Sequence, residues 1–184
     1  MTSLITGLIV AIFTFPGIIL RLIVSRLLCR YLDIPFFKVT YFEPNRPIGT
    51  SVFEPPRSPW TAIVLIFGPA LANTLLGFLI GAPAVFAFFT YDETPLLSLL
   101  DIFLVWLGVS LAVHSFPTFE HAKAIENTLQ DSRNPGWVQW MGQFLSVFAY
   151  AGAVGSMFWL DVIYALVLVV GIPIILLEVL RASF

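Results

Sequence analysis

Two histidines, one cysteine and a thin scatter of carboxylates are nearly all that this 184-residue chain offers for chemistry. His114 and His121 are seven residues apart, which would place both on one face of a helix. Pro117 stands between them and interrupts that helix. A zinc site takes three or four ligands from His, Cys, Asp or Glu. The only thiol, Cys29, belongs to a remote segment, so the two histidines alone do not make such a site. One cysteine also excludes an internal disulfide and a four-thiolate centre. No Ser-His-Asp order, Gly-rich phosphate loop or nucleotide fingerprint is present, and no spacing suits a pigment or haem ligand.

The remaining polar groups of interest sit in apolar runs, where each is costly and needs a reason. Arg21 either snorkels to the headgroups along its apolar stem or forms a buried pair with Asp101 or an adjacent subunit. Asp101 reads as an interfacial or hydrogen-bonded carboxylate, because an ion or proton relay would need more partners than the sequence supplies. Asp161 reads as a turn residue, and Glu178 with Arg181 as an i, i+3 pair.

The elements that must position these groups are dictated by hydrophobicity. Apolar residues make up 59% of the chain and charged residues 11%, against roughly 25% charged in an ordinary soluble domain. Mean hydropathy is +0.95. So little charge cannot cover a water-facing surface, so the expected fold is an all-α polytopic membrane protein forming one integral domain over residues 1–184. A net charge of −2 gives no basic field for nucleic acid. The first residues carry no basic segment of the signal-peptide kind, so the first apolar run is expected to be a retained span.

A spanning helix needs about 20 apolar residues. The expected spans are about 3–25, 60–82, 95–114, 138–157 and 161–181. Pro16-Gly17 predicts a kink in the first, and Pro83 closes the second. Residues 84–90 are apolar but too short to cross and are expected at the outer interface. Trp137 to Leu180 as one helix would be about 66 Å long at 1.5 Å per residue, so it is divided near residues 158–161. Between the first two spans, residues 37–42 and 48–53 have strand composition and predict a small β-hairpin-like insertion. Phe119 to Leu129 predicts a short interfacial helix, ended before Asn134-Pro135-Gly136.

With five alternating spans, all nine Lys and Arg fall on or near one side: Arg21, Arg26, Arg30, Lys38, Arg46, Arg57, Lys123, Arg133 and Arg181. The positive-inside rule makes that side cytoplasmic. The expectation is an inner (cytoplasmic or intracytoplasmic) membrane of a prokaryote, with the N-terminus out and the C-terminus in.

Four ordered passages add to this reading: residues 16–35 (PGIILRLIVSRLLCRYLDIP), residues 38–42 with 49–56 (KVTYF and GTSVFEPP), residues 68–76 (GPALANTLL) and residues 106–117 (WLGVSLAVHSFP). In order and spacing the set resembles the small site-2-protease-like zinc metalloproteases of membranes, over roughly residues 15–125. In that family the first span carries H-E-x-x-H, two zinc-binding histidines on one helix face and a glutamate that activates water. The pentad falls here on residues 21–25, so the resemblance places Arg21 at the first histidine, Leu22 at the glutamate and Ser25 at the second histidine. The family's further ligand, an aspartate after the His-x-x-Pro passage, falls near His121. Phe53 stands where close relatives often have a histidine ahead of Glu54. Arginine keeps its charge and repels a metal, leucine is no base, and one serine restores nothing. The scaffold residues Gly68, Pro69, Asn73, His114 and Pro117 persist. The resemblance therefore implies a pseudoprotease with no catalytic or metal residues.

Three functions follow as expectations. The first is a non-catalytic accessory subunit that docks beside other integral membrane proteins and lipids, with Phe53, Asn73, Asp101 and His114 as interaction or scaffold residues. The second is a pseudoprotease that captures membrane-protein clients without cutting them, by strand addition to residues 37–53. The third is an active metalloprotease with an atypical site. No cofactor is predicted, but eighteen Phe and five Trp would suit bound lipid or pigment. The small residues of 149–156 permit close helix approach, within the chain or to a neighbour.

Overall fold

The computed structural model describes residues 9–40, 50–54, 56, 58–90, 95–131 and 133–183. Residues 9–13 are helical and Thr14 is a turn. Helix α1 then runs Phe15–Tyr31. The break follows from Pro16, which has no N–H to give the preceding turn and suits the first turn of a new helix. α1 passes Ser25, where the span was expected to end, and stops at Asp33, whose φ of 51° is left-handed. The backbone N–H of Ile34 closes that end on the Cys29 carbonyl at 2.9 Å.

Strands β1 (Phe36–Thr40) and β2 (Thr50–Phe53) pair antiparallel, with Phe36 opposite Phe53 and Thr40 opposite Thr50. A bulge lies between Phe36 and Lys38. The connection at residues 41–49, and with it Arg46, lies outside the described residues, as does Arg57.

Helix α2 spans Pro59–Thr90 without interruption. The expected end at Ala82 and the separate interfacial segment at 84–90 are therefore corrected. Pro83 removes one backbone donor, but the turn around it (Ala82, Ala84 and Val85) is packed against protein and holds its helical form. At 32 residues α2 is roughly 48 Å long. Its buried stripe is Ala62, Leu65/Ile66, Pro69, Asn73, Gly77, Gly81 and Val85, the three-to-four spacing of one helix face. At Asn73, Gly77 and Gly81 the stripe is small or polar, whereas Leu71, Leu75 and Leu79 on the other side are about 60% exposed. Large apolar groups outside and small ones inside is the distribution of a helix solvated by hydrocarbon.

Helix α3 (Pro95–Val113) packs antiparallel on α2. A Cβ on Gly108 would fall 2.7 Å from both the Gly77 carbonyl oxygen and the Gly81 Cα, so the two backbones touch through glycine. Helix α4 (Phe119–Leu129) matches the expected bounds; its N-cap Thr118 accepts from the His121 N–H. It pairs with α5 (Gly136–Met157), burying Ala122, Ile125 and Leu129 against Ala149 and against Ala62 and Ile66 of α2. The small residues of 149–156 thus serve packing within the chain: Ala149 is fully buried, and the Cα of Gly152 faces Phe116.

The chain bends at Phe158-Trp159, with Trp159 left-handed at φ 64°. Helix α6 (Leu160–Leu166), a π turn at Val167–Gly171 and helix α7 (Ile172–Ser183) follow without a gap. Pro173 cannot supply an ordinary helical N–H, and the ladder widens just before it. Tyr164 Oη lies 3.1 Å from Thr74 Oγ1, Val169 packs on Gly81, and Arg181 Nη2 donates to the Phe89 carbonyl at 2.9 Å. These contacts rise along α2, so the last stretch runs in the same sense as α2.

That contact sets Arg181 beside the Phe89 end of α2, and five spanning helices are not confirmed among the described residues. The bend exists where it was expected, but it does not reverse the chain. Arg181 also pairs with Glu178 at 3.3 Å. Among the described residues, α2 and the Leu160–Ser183 stretch are long and apolar enough to cross a membrane, and Leu97–Val113 is apolar but shorter.

Candidate functional site

Helix α1 packs on α2 and α3, and Arg21 and Ser25 lie on its buried face while Arg26 and Arg30 are exposed. Thr14 Oγ1 is 2.8 Å from His114 Nε2. One heptad further on, Arg21 Nη2 is 3.1 Å from His121 Nδ1. The seven-residue spacing of the histidines is thus matched by Thr14 and Arg21, although Pro117 turns the chain between them. The two histidines take part in separate rungs.

Arg21 is 8% exposed. Among the described residues it neither snorkels to the surface nor pairs with Asp101. A guanidinium only donates, so His121 Nδ1 accepts and the ring proton sits on Nε2. Burial first, and the adjacent Arg21 charge second, hold His121 down to about 3, so the ring is neutral at ordinary pH.

Asn73 is fully buried and ties three elements together. Its Nδ2 donates to the Gly17 carbonyl of α1 and to the His114 carbonyl after α3, both at 3.2 Å. Gly17 is required there, because a Cβ would lie 2.1 Å from the Ser110 carbonyl oxygen. Asn73 Oδ1 and Ser115 Oγ are buried without a hydrogen-bond partner among the described residues.

The other expected positions are distributed as follows. Leu22 packs with Ala11 and Ile18 in an apolar cluster. Ser25 is buried one turn beyond Arg21. Phe53 closes β2 opposite Phe36 and is partly buried. Asp101 is buried on α3 with its Oδ2 unpartnered among the described residues, apart from the Arg21 rung. Asp161 accepts from the Val162 N–H at 2.9 Å at the start of α6, as a turn residue should. Among the described residues no group of three or more His, Cys, Asp and Glu is gathered in metal-binding range.

Of the four positions, the structure brings Arg21 and His121 together, as a cation beside a neutral imidazole, while Leu22 packs in an apolar cluster and Ser25 is a buried hydroxyl on α1. That set does not fit zinc: the guanidinium has no lone pair to give and occupies the side of His121 on which a metal would bind. Sequence reasoning missed Thr14, Gly17 and Ser110. It also missed the Gly77-x-x-x-Gly81 pair, whose small-xxx-small spacing was visible. No family model matches the chain, and no significant match is found among curated proteins or solved structures.

Proposed function

We propose that the chain is a non-catalytic subunit of a larger membrane protein assembly, built on a degenerate site-2-protease-like scaffold. The observation that carries this reading is the 3.1 Å contact between Arg21 and His121. The resemblance assigns both positions to metal ligands, and two ligand positions of one site must be neighbours in space. They are 100 residues apart in the chain and adjacent in the fold. The scaffold logic survives in Asn73 and Gly17, while the groups that would bind metal and activate water have become Arg21, Leu22 and Ser25.

In this reading four segments cross the membrane: residues 9–31, α2, α3 and α6 with α7. Helices α4 and α5 pack near the end of α2 that carries Arg26, Arg30, Lys38, Lys123 and Arg133, and that end faces the cytoplasm of a prokaryotic inner membrane. Residue 9 and Ser183 both face away from it. The exposed apolar faces of α2, α6 and α7 are available to lipid and to neighbouring membrane proteins.

Gentle detergent extraction followed by identification of co-migrating proteins tests the subunit role. A stoichiometric assembly of fixed composition is expected; a monodisperse lone chain would sink it. Capture of varied clients is the second reading, supported by the two-stranded sheet beside α1, which has no third strand among the described residues. Crosslinking from Phe53 separates the two: one fixed partner favours the subunit, many single-span clients favour capture.

A further inference from the structure

The bend at Phe158-Trp159 leaves a corner between α5 and the α6–α7 stretch. On the α5 side that corner is edged by Ala151 and Gly152, which are too small to fill it. On the other side lies the π turn, Val167–Gly171, where the helix widens and its side chains leave α-helical spacing. Phe116 and Tyr164 meet edge to face, ring centroids 5.1 Å apart, and add an aromatic part to the wall. The result is an open-sided cavity of about 460 Å³, within the range of roughly 300–1,000 Å³ usual for ligand sites.

The lining selects the chemistry of an occupant. None of the ten lining residues is charged. Tyr164 carries their one side-chain hydroxyl, and it is paired with Thr74 Oγ1 at 3.1 Å. A charged or strongly polar group would give up its water here for apolar walls, at a cost that hydrocarbon does not meet.

A track along α5 leads to the cavity. Trp140, Phe144, Val147, Phe148 and Ala151 recur at three- and four-residue spacing on one face, and all are exposed. At the start of the track Trp137 packs on Trp60 with ring centroids 6.4 Å apart. Tryptophan favours the headgroup level of a membrane. From Trp140 to Ala151 the face runs roughly 17 Å at 1.5 Å per residue. Half of a roughly 30 Å hydrocarbon core is about 15 Å, so a lipid chain that starts beside the tryptophans ends in the cavity.

We infer that the cavity between α5 and the α6–α7 stretch binds one acyl chain of a phospholipid, whose headgroup lies at the Trp137–Trp140 end of α5. The inference rests on the reading of α6 with α7 as a membrane-crossing segment, and it is independent of the subunit role.

The test places the full chain in phosphatidylcholine nanodiscs that contain a small fraction of phosphatidylcholine with a photoactivatable diazirine at the end of one acyl chain. Labelled residues are mapped by peptide mass spectrometry. Labelling concentrated between Phe148 and Ile172, and saturating as the probe is raised, is expected. Ala151→Trp fills the cavity from an exposed position and should lower that labelling by about fivefold or more. Ile163→Trp does the same from the opposite wall and keeps the test valid if Ala151→Trp does not fold. Leu71→Trp, on the exposed face of α2, should leave the labelling unchanged. Labelling spread equally over Leu71, Leu75 and Leu79 would overturn the site, as would labelling unchanged in both filled variants. A crosslink from position 151 to the helix of another protein would also overturn it. Release of the chain from membranes by alkaline carbonate would overturn the membrane reading, whereas a retained chain without labelling at the cavity would overturn the lipid site alone.

Discussion

Arg21 and Asn73 show what one side chain decides in this protein. Asn73 donates two hydrogen bonds to carbonyls of different segments from a fully buried position. Interhelical hydrogen bonds within membranes are worth about 0.6–2 kcal/mol each. Asn73→Ala should therefore destabilise by about 1–4 kcal/mol, measured as the shift of the unfolding midpoint in mixed micelles with a denaturing detergent. An unchanged midpoint would mean that the Gly17 and His114 carbonyls find other donors. His121 makes a pH prediction. Its value in the fold, about 3, lies below the ordinary 6.5, so the unfolded chain binds the proton more readily. The stabilisation is complete above about 6.5 and is lost progressively as pH falls toward 3. Replacing the ring with a neutral acceptor in His121→Gln should reduce the slope of the stability profile across that window. A profile with the same slope in the variant would assign the acid sensitivity to other groups.

At the scale of elements, the α2–α3 seam is set by glycine. A side chain on Gly108 meets the backbone of Gly77 and Gly81, which cannot rotate away. Gly108→Val should cost about 1–3 kcal/mol through forced separation of the helices. Gly136, which has nothing within 4 Å of a Cβ, should tolerate Ala within about 0.5 kcal/mol. Equal effects of the two substitutions would show that the seam is not tight. The bend at Trp159 works by a different device. A single left-handed residue redirects the helix without a loop, so the sequence carries no Gly, Asn or Pro to announce it. The π turn before Pro173 is similar, since the proline is visible but the direction in which the ladder adjusts depends on what α7 must reach.

For the whole molecule the question is how many times the chain crosses. The contact between Arg181 and Phe89 puts the end of α7 beside the end of α2, away from Arg30 and Lys38. A reporter fused after Phe184 should read as non-cytoplasmic, and one inserted near Asp131 as cytoplasmic. A cytoplasmic reading at Phe184 would restore an odd number of spans. The two reporters together distinguish a wrong C-terminal direction from a wrong overall orientation. Arg133, which pairs with Asp131 at 2.6 Å, is exposed at the basic end and offers a natural insertion neighbourhood.

Composition and periodicity alone determined that the chain is helical and mostly apolar, where α3 and α4 lie, and that strands fall within about residues 37–42 and 48–53. Those properties are local, because each depends on a residue and its neighbours within a turn or two. That residues 21–25 (Arg-Leu-Ile-Val-Ser) hold no His, Cys, Asp or Glu was also legible, because side-chain chemistry is independent of fold. Only the tertiary structure decided that Arg21 turns inward to His121, that Thr14 holds His114, and that Pro83 lies within one continuous helix. It also decided the direction of the final stretch. In each case the deciding contact joins residues far apart in the chain, between 89 and 181 for the last. An arginine that reaches lipid headgroups and one that reaches a histidine have the same local sequence; what lies across the helix interface makes the difference.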